Sequence, residues 1–169
     1  MNKPFRVVFN SPQSGWMSFG LEANGESFVA VVACKPYDSL RELIESLTTL
    51  VDGNGVGKKS QTVKWSCEPD ELDFKITVRG DAVFLKVIHY TDHRRSLKDS
   101  RTVFSLKSSR LEFCQAFWRA LRALHRDIET DEFDRNWRRP FPHTQMQQLT
   151  ESVRAFKRQS KAQAAGRIS

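Results

Sequence analysis

Cysteine is scarce in this chain: Cys34, Cys67 and Cys114 are the whole supply, odd in number and far apart. No Cys-x-x-Cys pair occurs, which argues against a zinc site and against a disulfide framework. A reducing cytoplasm is the expected compartment for such cysteine usage. Long apolar runs are lacking as well. None approaches the roughly 20 residues that span a bilayer. The opening MNKPFRVVFNSPQ has no long apolar stretch followed by a small-residue cleavage site. Neither a membrane segment nor a signal peptide is therefore expected.

Motifs of catalysis and cofactor binding are missing too. Residues 52–60, DGNGVGKKS, resemble a phosphate loop only in passing. Three residues, not four, separate Gly53 from Gly57, and Lys59 stands where Ser or Thr should hold magnesium. The segment also leaves a helix and enters a strand, the reverse of a phosphate loop, and reads as a flexible connector. His89 and His93 are four apart, but at a strand end and its turn rather than on a helix. His125 stands near a helix end, where a cation suits the dipole. No acidic or cysteine partner completes a ligand set, so no metal is expected. The acids Asp127, Glu129, Asp131, Glu132 and Asp134 lack the glycine and spacing of a calcium loop. They read as a solvated turn that balances nearby arginines. With no Gly-x-Ser-x-Gly elbow or cysteine-protease signature, the chain is expected to be no enzyme and to need no cofactor.

What the chain does have is aromatic and basic. Twelve Phe and four Trp, with 39% hydrophobic and 28% charged residues, make a globular composition. At 169 residues one domain is expected. The net charge of +7 favours anionic partners without choosing among them.

Hydrophobic periodicity orders the elements. Strands are predicted over residues 5–9, 16–21 and 27–34, the last two joined through Asn24-Gly25, a strong hairpin signal. SFVAVVAC, residues 27–34, is apolar on both faces and is expected centrally in a sheet. A helix follows from Ser39, where Ser39 and Glu42 form a capping box and Leu40, Leu43, Ile44, Leu47, Leu50 and Val51 make one apolar stripe. Strands are predicted again over 62–68, 71–79, 82–90 and 102–106. In residues 71–79 Leu72, Phe74, Ile76 and Val78 alternate with Asp73, Lys75, Thr77 and Arg79, so one sheet face is expected to be largely solvated. Residues 109–128 form the clearest helix, with a second capping box at Ser109 and Glu112 and a face of Phe113, Phe117, Trp118, Leu121 and Leu124. A third helix is predicted over 144–161 on Leu149, Val153 and Phe156, either packed on the domain or a mobile arm.

Tight hairpins cannot join parallel strands. The expectation is a two-layer α+β fold, an antiparallel sheet of about six to seven strands with two main helices on one face and a C-terminal helical tail. Residues 1–142 would be the single domain and 143–169 a basic helix or arm whose end frays.

Arg119, Arg122 and Arg126 share one face of the long helix, and Trp137, Arg138 and Arg139 follow soon after. Guanidinium groups fork to carboxylate or phosphate, and an exposed Trp adds stacking area. The six residues are the candidate interaction surface. The alternative is that the arginines pair with the acids of 127–134 while Trp137, Phe141 and Pro142 pin the chain to the core. No RNA-recognition, helix-turn-helix or zinc-finger pattern accompanies them.

The order of elements resembles the WapI-like group of small bacterial immunity proteins, which pair with toxins of polymorphic or contact-dependent systems. The likeness lies in the opening strands, the capped helix SLRELIESLTTLVDG, charged strands such as ELDFKITVRG, and a last strand running into SRLEFCQAFWRAL. It covers about residues 5–126. The NWRRPFP turn and the basic tail lie outside that pattern. The resemblance implies a protein that occludes a toxin surface without catalysis, and a basic one implies an acidic partner surface. The second expectation is nucleic-acid binding through the basic helix and tail.

Overall fold

The computed structural model describes residues 3–52, 60–126 and 132–167. Seven antiparallel strands follow one another in chain order: β1 (Arg6–Phe9), β2 (Trp16–Ala23), β3 (Glu26–Ala33), β4 (Ser60–Ser66), β5 (Glu71–Arg79), β6 (Ala82–Tyr90) and β7 (Arg101–Ser109). Four helices complete an α+β fold with an open sheet: α1 (Ser39–Val51), α2 (Arg110–Arg126), α3 (Phe133–Trp137) and α4 (His143–Gly166). The hairpin turns fall where Gly25 and Gly80 take positive φ, the conformation a tight turn needs and glycine tolerates. The connector anticipated at 53–59 lies outside the described residues.

The sheet has a seam. β3 meets β4 at one register pair, Ala33 with Ser66, whereas β5 and β6 pair along their full length. In a flat sheet β2 and β5 would lie about 14 Å apart, at some 4.8 Å per strand. Yet Phe19 of β2 lies 5.4 Å, centroid to centroid, from both Trp65 of β4 and Phe74 of β5. The sheet therefore bends at the seam, and its two parts share one aromatic core.

Both long stripes read from the sequence are buried. All six apolar residues of the α1 stripe are in the core, as are Phe113, Phe117, Leu121 and Leu124 of α2. Helix α1 packs on β4, and α2 on β1, β6 and β7. Helix α4 lies against both α1 and α2 and buries Met146, Leu149 and Val153.

Three local expectations change. Ser39 does not cap α1, because its hydroxyl donates to the Lys64 carbonyl oxygen on β4, and no side-chain bond caps the helix start. At α2 the cap does form, with the Glu112 amide donating to Ser109 Oγ at 3.2 Å. Strand β3 is not covered on both faces: Val29 is 70% exposed and Val31 53%. Its outer-face valines lie open to solvent. Finally, Asp73 is not solvated. Asp73 and its neighbour Glu71 are buried, because Arg95, from the segment between β6 and β7, reaches over them.

Candidate anion-binding cleft

Helix α2 turns Arg122 and Arg126 toward α4, and the two helices enclose a cleft of about 590 Å³. Arg122, His125 and Arg126 line it from α2; His143, Gln147, Glu151 and Arg154 line it from α4, over the buried Met146. The spacing is helical on both sides. Arg122 and Arg126 are one turn apart, as are His143, Gln147 and Glu151, so each series faces the same way.

Several contacts hold this geometry. Trp118 Nε1 donates to Thr150 Oγ1 at 3.0 Å, tying α2 to α4, and the Arg122 guanidinium lies 4.6 Å over the Trp118 ring. His125 stacks on Phe141 with centroids 4.5 Å apart and planes 10° from parallel. Phe141 is in turn edge-on to Phe133 of α3. His125 Nε2 and His143 Nδ1 are 3.1 Å apart and share a hydrogen bond.

The electrostatics are one-sided. Desolvation lowers the Arg122 pKa, with the nearby charges of Arg126 and Arg154 adding to it. Desolvation, then His143 and Arg126, push His125 below the usual histidine value. Glu151 accepts a 3.4 Å hydrogen bond from Gln147 Nε2. Among the described residues, Arg122, Arg126 and Arg154 form no ion pair with a carboxylate. Of the acids read as their counterions, Asp127, Glu129 and Asp131 lie outside the described residues. Glu132 pairs with Arg135 at 3.9 Å, and Asp134 Oδ1 accepts the Phe141 amide at 2.8 Å.

The other residues singled out in the sequence go elsewhere. Arg119 is exposed and does not line the cleft. Trp137 is buried and offers no ring to a ligand. Arg139 donates to the carbonyl oxygens of Cys34 and Pro36, and so fastens the turn after α3 to the end of β3. Arg138 is exposed, with φ 63°, and its side chain lies along Gly15. Gly15 has φ +83°, and a Cβ there would come within 3.3 Å of both Arg138 Cδ and Cys34 Sγ, so a substitution would be strained. The Gly15 amide also donates to the Asn136 carbonyl oxygen at 2.7 Å. The NWRRPFP segment is thus a docking turn.

Sequence reasoning put Arg154 on the basic side of the tail helix, opposite its apolar stripe, but missed His143, Gln147 and Glu151 and the wall they form with it. The available signal was the polar face of that helix opposite Leu149 and Val153, but only the packing of α4 on α2 makes it one wall of a site.

A second polar cluster is closed on itself. Arg95 Nε donates to Asp73 Oδ1 at 3.0 Å, Nη2 to Glu71 Oε2 at 3.2 Å and Nη1 to the Tyr37 hydroxyl at 2.8 Å. Tyr37 in turn donates to Glu71 Oε1 at 3.2 Å. Beside it, His89 Nε2 lies 2.7 Å from Asp70 Oδ2. Burial, reinforced by Asp70 and Glu71, pushes the Cys67 thiol up to about 11. The cluster is a lock with its valences used internally. Among the described residues no His, Cys, Asp or Glu group of three could hold a metal, and no helix is long and apolar enough to cross a membrane.

The fold and site define an open antiparallel α+β protein with a cationic cleft between two surface helices. No protein-family model, curated protein or solved structure matches the chain.

Proposed function

We propose that this protein acts by stoichiometric binding, without catalysis, and that the α2–α4 cleft receives an acidic feature of a partner protein. One observation carries the reading: three guanidinium groups converge on the cleft without a carboxylate ion pair among the described residues. Charge held close at a surface stabilises nothing by itself, and an anionic partner would relieve the repulsion. The resemblance of the element order to WapI-like immunity proteins supports a blocker of a toxin or secretion-system component as the form this binding takes.

The test is capture from the native cell with the full chain as bait. The expected result is one stable protein partner, retained at low salt and lost from an Arg122→Glu, Arg154→Glu variant. Capture that is equal with both baits, or no partner at all, sinks the reading.

Nucleic-acid binding is the second reading. It is favoured by Arg154, Lys157, Arg158 and Lys161, all exposed along α4. The rings beside the cleft are already engaged, Trp118 with Arg122 and Thr150, His125 with Phe141. That leaves phosphate contacts without base stacking, so affinity would fall steeply with salt. Absence of binding to a labelled nonspecific oligonucleotide at low salt ends this alternative.

A further inference from the structure

We infer that the α2–α4 cleft is built for a dianionic phosphate monoester, with Arg122, Arg126 and Arg154 as its charge ligands. The inference deepens the reading above, resting on the same cleft as the contact surface while naming the chemical group it takes.

The charge balance comes first. Three guanidinium charges against the single carboxylate of Glu151 leave an excess of two among the charged residues lining the cleft. A side-chain carboxylate supplies one negative charge. A phosphate monoester supplies about −1.5 to −2 at neutral pH and three strong acceptor oxygens. As a single group, the phosphate comes closer to matching the excess than one carboxylate does.

Donor chemistry agrees. Arginine forks suit the oxygens of phosphate, and they come from two helices, so a tetrahedral group can be met from both walls. The cleft also opens at the first turn of α4, a helix of 24 residues whose start has no side-chain cap. The partial positive charge there adds to the same field. Glu151 is the one lining group that would repel the ligand, and its hydrogen bond to Gln147 occupies one of its oxygens.

Size and lining narrow the ligand further. The cleft, about 590 Å³ and open to solvent, exceeds a lone phosphate and leaves room for the group that carries it. The neighbouring rings of Trp118 and His125 already engage Arg122 and Phe141, which leaves neither as a free nucleobase platform. The group that carries the phosphate is therefore recognised by charge and fit rather than by stacking.

The experiment is calorimetric titration of the full chain at pH 7.5 and low salt with inorganic phosphate, O-phosphoserine, a phosphoserine peptide, acetate and a single-stranded oligonucleotide. Phosphate and phosphoserine are expected to bind at least tenfold tighter than acetate. Arg122→Gln and Arg154→Gln are each expected to weaken them at least tenfold, with Arg119→Gln unchanged and all three variants keeping the wild-type thermal transition. A peptide tenfold tighter than free phosphoserine carries the proposal with a phosphoprotein as source, and equal affinities carry it with a small molecule. Acetate binding as tightly as phosphate, or Arg119→Gln weakening binding as much as Arg122→Gln, overturns it as diffuse charge. An oligonucleotide matching the monoester per site overturns it in favour of phosphodiester backbones. A protein partner held by the same arginines without measurable phosphate affinity overturns this assignment alone. Phosphate binding with no protein partner leaves it standing and removes only the protein-contact reading.

Discussion

Arg95 shows how one residue can decide the state of two carboxylates on the outer sheet face. Its guanidinium sits between two buried carboxylates, with only 15% of its side chain exposed against 4% for Glu71 and 7% for Asp73. Breaking such a pair from one side leaves charge buried without compensation, at about 3–5 kcal/mol. Arg95→Met is therefore expected to lower the unfolding free energy by roughly that amount in urea denaturation. Adding Glu71→Gln and Asp73→Asn should recover much of the loss, since it removes the stranded charges. His125 acts in the opposite electrostatic sense. Its folded pKa is depressed below the ordinary 6.5, so between the two values the unfolded chain binds more protons than the folded one. Stability from this residue is fully present above about pH 6.5 and is lost as pH falls toward the folded value. Urea midpoints measured from pH 5 to 8 should show His125→Phe falling less steeply on acidification than wild type. Parallel profiles would show that His125 titrates alike in both states.

At the level of elements, helix α4 divides into a packed and an exposed part. Met146, Leu149 and Val153 are buried against α1 and α2, while from Lys157 onward every described residue but Ser160 is exposed. Leu149→Ala is expected to cost about 2–5 kcal/mol, read from chemical denaturation, because it empties a fully buried site. Removing the chain from Lys157 onward should leave the denaturation midpoint nearly unchanged. The same contrast explains what could be read from the sequence. Helices α1 and α2 were legible because one apolar stripe in each faces one core, and the hairpins because Asn24-Gly25 and Gly80-Asp81 specify their turns. Periodicity gives the side of a strand but not what lies on that side. Asp73 was thus assigned outward correctly and to solvent wrongly, since the Arg95 segment that covers it comes 22 residues later. Ser39 carried a capping signature, but its hydroxyl was taken by Lys64, 25 residues away. Helix α3 spans five residues, too few for a periodic signal, and its buried Phe133 and Trp137 stand one turn apart amid charged residues. The cleft was half legible: the arginine row marks the α2 wall, and α4 as its opposite wall is a fact of packing.

For the whole molecule the question is whether a sheet joined at one register pair behaves as one body. Among the described residues β1–β3 and β4–β7 pair at one register position, Ala33 with Ser66, with β3 also approaching β7, a seam too short to couple them by ladder hydrogen bonds alone. The coupling must come from side chains, and a chain of rings supplies it. Phe19 of β2 meets Phe74 of β5 at 5.4 Å, Phe74 meets Phe117 of α2 at 6.5 Å, Phe117 meets Phe113 at 5.1 Å, and Phe113 stacks on Phe5 at 5.7 Å. The path joins both parts of the sheet and α2 through one apolar core, which favours cooperative unfolding. Phe19 is the link at the seam, since it also touches Trp65 of β4. Phe19→Ala is expected to cost about 3–5 kcal/mol through the lost transfer energy and the cavity left behind. In wild type, near-ultraviolet and far-ultraviolet circular dichroism should report a single coincident transition. In Phe19→Ala the far-ultraviolet curve should broaden or divide, because β1–β3 can then open while β4–β7 keeps Trp65, Phe74 and the helix face of Phe117. A variant that loses stability yet keeps coincident, equally steep transitions would mean that α2, packed on both β1 and β7, couples the two parts without Phe19.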